Sequence, residues 1–145
     1  MERNKIKFAF FAWAAIALCA IANGMFRGLV LTPAFGETIA RMISCVMLIT
    51  ILLAMSNLLL RRSKLDLTER ELVVIGMAWL GLTMVFEFGF GHFIEGISWE
   101  VLLIDYDVMK GRFWILVLVF TALSPYLAGR ILRKQESREL LADAV

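Results

Sequence analysis

Three ionisable groups stand in or beside long apolar runs, where an unpaired charge costs at least about 2.5–3.5 kcal/mol. Glu87 lies within Val85-Phe86-Glu87-Phe88-Gly89-Phe90-Gly91-His92. Arg27 closes one apolar run, and Arg41 opens the next, four residues after Glu37. Such groups must pair, reach the interface or serve a function. The i, i+4 spacing predicts a Glu37–Arg41 pair on one helix face, which leaves Arg27 as the expected partner of Glu87. A structural ion pair is one reading of Glu87. Proton relay, or the binding of a small ion or polar solute with Arg27, Arg41, His92 and Glu37 around it, is the other.

His92 is the only histidine. It shares the i, i+3 spacing with Glu95, and Asp105-Tyr106-Asp107 follows a short loop later. Metals use such groups, but a catalytic zinc site takes several His or Cys ligands. A bis-imidazole haem would need His92 from two copies of the chain. No cofactor, metal or haem is therefore expected, and His92 reads as an interfacial hydrogen-bonding residue. The sequence holds no Gly-rich phosphate loop, nucleophile elbow, zincin pair, Cys-x-x-Cys or EF-hand loop. Cys19 and Cys45 lie inside apolar runs and read as packing residues.

The elements that position these groups follow from composition. Of 145 residues, 61% are hydrophobic and 19% charged, against about 45–50% and 25% in a soluble domain. A ball of this size cannot hide so much apolar surface. The expected architecture is all-α: an integral membrane four-helix bundle forming a single transmembrane domain over residues 1–145, with a short interfacial helix in the outer connection between spans three and four. A hydrocarbon core of about 30 Å needs about 20 apolar residues of helix. Four stretches qualify, at about 8–26, 39–60, 72–90 and 113–132. Thr32 and Pro33 read as the N-cap and first helical residue leading into the second. Thr68 and Glu71 form a capping box before the third. Pro125 should bend the fourth. Residues 133–145 read as a short polar tail. The first run is too long for a signal-peptide core and reads as a retained span.

Basic residues set the orientation. With the N-terminus in the cytoplasm, eleven of the fifteen Lys and Arg fall inside and only Arg27, Arg41, Lys110 and Arg112 outside. Both termini should therefore be cytoplasmic, in a multi-pass protein of the inner (plasma) membrane. The outer side then carries Glu37, Glu87, Glu95, Glu100, Asp105 and Asp107. This acidic face would draw cations weakly, within a Debye length of about 8 Å. The net charge of +2 and the lack of a basic patch give nucleic acid no place as a partner.

In the outer connection, Trp99, Leu102, Leu103 and Tyr106 fall at i, i+3, i+4 and i+7, one apolar stripe. A helix over about 98–107 should lie in the interface, closing the bundle or forming a lid over Glu87, Arg27 and His92. In the first span, Ala20, Gly24 and Gly28 let another backbone approach closely, within the bundle or in a homo-oligomer. Three functions remain open. The chain is a small transporter or channel-like protein using Glu87, an accessory or assembly subunit of a larger membrane complex, or an enzyme acting on lipid or quinone at the outer leaflet.

Overall fold

The computed structural model describes residues 2–93, 96, 98–100 and 114–143. Within these, the chain is helical, and four helices are long and apolar enough to cross a membrane. Helix α1 (Arg3–Phe26) passes through a π-helical stretch (Arg27–Leu31) into the single turn α2 (Thr32–Phe35). After Gly36 come α3 (Glu37–Ser63), α4 (Glu69–Phe93) and, later in the chain, α5 (Trp114–Asp143).

The first span thus does not end at Arg27. Arg3–Phe35 is one helical run of 33 residues, about 50 Å at 1.5 Å per residue. Thr32 has helical dihedrals (φ −64, ψ −45) rather than those of an N-cap, so the expected start of the second span is displaced. The physical reason is the π stretch. Pro33 has no N–H to give to the helical ladder, and the helix changes register just before it. The break comes instead at Gly36, whose φ of +78 suits a residue without a Cβ. Helix α3 then begins with Glu37, an acid placed at a helix N-terminus.

The capping box before α4 forms as expected. Glu71 N–H donates to Thr68 Oγ1 at 3.3 Å, and Thr68 N–H donates to Glu71 Oε2 at 2.9 Å. Helix α5 is 30 residues long with Pro125 inside it. The expected polar tail is helical as far as Asp143 and continuous with the fourth span.

Glycines and serines bring the helices together. A Cβ at Gly76 of α4 would collide with the backbone of Ala122 in α5, and one at Gly129 would strike Leu72. Ser56 donates to Ser124 at 3.0 Å, where α3 meets α5 in a fully buried spot. The core around them holds Leu48, Leu52, Leu72, Ile75, Trp79 and Val117. Helices α1 and α4 run parallel from their N-terminal ends, joined by Lys5–Glu71 at 3.0 Å, Trp79 Nε1 to the Ala9 carbonyl at 2.8 Å, and Trp13 Nε1 to Thr83 Oγ1 at 3.1 Å. In its C-terminal half, α1 bonds to α3, where Asn23 Nδ2 donates to Ser44 Oγ at 2.7 Å. Phe11, Leu18 and Val85 are about two-thirds or more exposed (69%, 68% and 73%), an outward surface suited to hydrocarbon. Gly24 and Gly28 have no neighbour within 4 Å of an added Cβ, so they face outward.

Candidate functional site

Glu87 does not meet Arg27. The Trp13–Thr83 bond sets the register of α1 against α4 and brings Glu87 level with Ala17. Arg27 lies ten residues further along α1, about 15 Å higher. Glu87 Oε2 instead accepts a 2.9 Å hydrogen bond from Trp114 Nε1, the first residue of α5. An indole N–H in an apolar setting needs an acceptor, and a carboxylate is a strong one.

Helix geometry explains why Glu87 points inward. Leu72, Ile75, Gly76 and Trp79 are buried on the core face of α4. Thr83 and Glu87 continue that face at successive i+4 steps. Glu87 lies sixteen residues beyond Glu71, about 24 Å along the helix from the Lys5–Glu71 pair. It lines a cavity of about 170 Å³. Helix α1 contributes Trp13, Ile16, Ala17, Ala20 and Ile21; Leu48 and Leu52 come from α3, Thr83 and Phe86 from α4, and Trp114, Val117 and Thr121 from α5. Ile21, 45% exposed, brings the cavity to the surface of the bundle. Beneath it the core closes over Trp79 and Ile75, 2% and 1% exposed.

The other expected site residues fall into separate places. Glu37 and Arg41 pair as expected, Nε to Oε1 at 2.7 Å. Thr32 Oγ1 reaches Glu37 at 3.5 Å, and the Arg27 charge acts on the same carboxylate. Arg27, Glu37 and Arg41 therefore form a cluster of their own. His92 stands five residues beyond Glu87, about 140° round the helix. Its ring stacks on Trp99 at 4.2 Å, and Trp99 also meets Phe88 at 6.1 Å. Trp99 and Glu100 are helical. The rest of the expected interfacial helix lies outside the described residues, as do Glu95, Asp105 and Asp107.

Trp13, Thr83, Trp114 and Thr121 escaped the reading of the sequence. The signal for Thr83 was present in its i, i+4 spacing to Glu87. Trp114 carried none, because a tryptophan at a span end equally suits an interfacial anchor. Asn23 was missed as well. It is 6% exposed, and among the described residues its Oδ1 has no hydrogen-bond partner.

Chemically, the cavity places the Glu87 carboxyl group within mostly apolar walls. Compared with known protein families, curated proteins and solved structures, the chain matches none of them.

Proposed function

We propose that this chain is a multi-pass protein of the inner membrane, with both termini cytoplasmic, that binds a small solute at Glu87 as a step in its transport. The observation that carries the reading is a carboxylate lining a cavity some 24 Å along its helix from the inner charge layer. Such a group is expensive at that depth and marks a solute or ion pathway by default. The closed packing beneath the cavity favours a carrier over an open channel. Pro125 inside α5 and the π stretch of α1 are natural points for a helix to bend. Uptake of labelled methylamine and rubidium into proteoliposomes tests the reading. Wild-type protein should raise uptake of at least one above empty vesicles, and Glu87→Gln should lower it about tenfold with helicity intact. Equal uptake by the variant removes Glu87 from the mechanism.

A second reading, an accessory subunit of a larger complex, is favoured by the inner end. A groove of about 610 Å³ lies between the α3–α4 connection and α5, lined by Arg61, Lys64, Leu67, Arg133 and Glu136 among others. Beyond it Leu140 and Leu141 are 72% and 68% exposed. Purification in mild detergent should then retain a stoichiometric partner. A homogeneous particle without one counts against this role.

A further inference from the structure

We infer that the groove between the α3–α4 connection and α5 binds a phospholipid whose phosphate carries a primary amine, the phosphoethanolamine head. This occupant requires the membrane embedding proposed above and nothing of the Glu87 site. The groove measures about 610 Å³, within the range of about 300–1,000 Å³ common to ligand sites.

Its lining is ordered along the helix axes. The Ser56–Ser124 bond sets α3 and α5 at one level. Residues 60–64 and 129–139 then line the same groove, so the two helices run the same way from that bond. At 1.5 Å per residue, Leu60, Arg61 and Gly129 lie about 6–8 Å beyond it. Lys64, Leu132 and Arg133 follow at about 12–14 Å, Glu136 at about 18 Å and Glu139 at about 22 Å. Leucines therefore line the near end beside buried Leu72, bases the middle and glutamates the far end. An amine phospholipid presents the same sequence: acyl and glycerol carbons, then phosphate, then ammonium.

The charges that would meet such a head are available. Among the described residues, Arg61, Lys64, Glu136 and Glu139 have no side-chain hydrogen bond or ion pair. Arg133 is held in place, Nη2 donating to the Leu67 carbonyl at 2.9 Å and Nη1 to Glu69 at 3.3 Å, and it keeps further N–H donors. Basic pockets between membrane helices bind lipid phosphates. A head of one sign alone would leave the glutamates uncompensated, and a choline nitrogen has no N–H to give them. Asp66 in the connection adds a third acid to the lining. Lys64 also ends α3 with a φ of +50, where glycine is the usual residue.

The test extracts the full chain in mild detergent from alkali-washed membranes and offers it equal amounts of phosphatidylethanolamine, phosphatidylcholine and phosphatidylglycerol with matched chains. Native mass spectrometry reads the lipid retained. One phosphatidylethanolamine should be kept about fivefold over either competitor. Lys64→Gly suits the left-handed backbone, so it should lower retention about threefold or more with the thermal midpoint unchanged or raised. Joint replacement, Glu136→Gln with Glu139→Gln, should let phosphatidylglycerol bind as well as phosphatidylethanolamine. Arg62→Gln removes a neighbouring base outside the groove lining and should change nothing. Free phosphoethanolamine should not displace the lipid, because the leucine end holds only a chain-bearing ligand. Equal retention of the three lipids, or of none, overturns the inference. So does a preference that survives the double glutamate variant, or equal loss in Arg62→Gln and Lys64→Gly. Displacement by free phosphoethanolamine would overturn the lipid as its source, and a polypeptide retained in place of lipid would overturn both. Release of the protein by the alkaline wash would instead overturn the membrane reading.

Discussion

At the scale of single residues, the pairing of Glu87 with Trp114 governs the site. A hydrogen bond to a charged group contributes about 1.5–3 kcal/mol, and this one also fixes where the carboxylate points. Trp114→Phe keeps an aromatic ring and removes the donor. It should lower stability to unfolding in detergent by about 1–3 kcal/mol and weaken solute binding, while Trp99→Phe at His92 leaves solute binding within twofold. Equal binding by wild type and Trp114→Phe would show that the indole does not position Glu87. The Ser56–Ser124 bond is a second residue-scale device. Ser56→Ala should cost about 0.6–2 kcal/mol, seen as an earlier unfolding midpoint, because it leaves the Ser124 hydroxyl with one partner fewer in a fully buried place.

At the scale of elements, close approach of α4 and α5 holds the bundle. Gly76→Ala would press a methyl group into the Ala122 backbone. Overpacking of this kind costs about 1–3 kcal/mol, and thermal unfolding in detergent should show it. Gly81→Ala, with nothing within 4 Å of the added Cβ, is the matched control and should leave the midpoint unchanged or raise it. Much of this level was legible in the sequence. The four apolar runs, the Thr68–Glu71 capping box and the Glu37–Arg41 pair follow from hydropathy and helical spacing alone. The Arg27–Glu87 pairing did not, because it assumed that both residues sat at matching span ends. The helix instead continues through Arg27 to Phe35, and the change of register before Pro33 leaves no mark in hydropathy. Interhelical register is likewise invisible in one sequence. It is set here by pairs such as Trp13–Thr83 and Asn23–Ser44, whose members lie 70 and 21 residues apart.

At the scale of the whole molecule, the described helices hold a cavity at Glu87 and pack tightly beyond it. Trp79, Ile75 and Leu72, each at most 2% exposed, fill the bundle beneath the cavity, with Lys5–Glu71 below them. Planar-bilayer recordings of the reconstituted protein should therefore show no unitary currents in rubidium or potassium chloride. Discrete openings would contradict the closed packing beneath the cavity and favour a channel. The distribution of basic residues adds a prediction of orientation. Single cysteines placed at Glu2 and Ser137, in a background lacking Cys19 and Cys45, should react with a membrane-impermeant maleimide only after the cells are opened. Labelling of intact spheroplasts at either position would reverse the proposed topology.

The central claim is that Glu87 lines a cavity reached from the bilayer. Labelling with diisopropylcarbodiimide, a small apolar reagent that modifies carboxyl groups, tests it most directly when followed by peptide mass spectrometry of the protein in nanodiscs. Modified Glu87 is the expected result, with the label lost in Ala20→Leu. A Glu87 that stays unmodified under conditions that label Glu37 would contradict the account and make the carboxylate a sealed structural group.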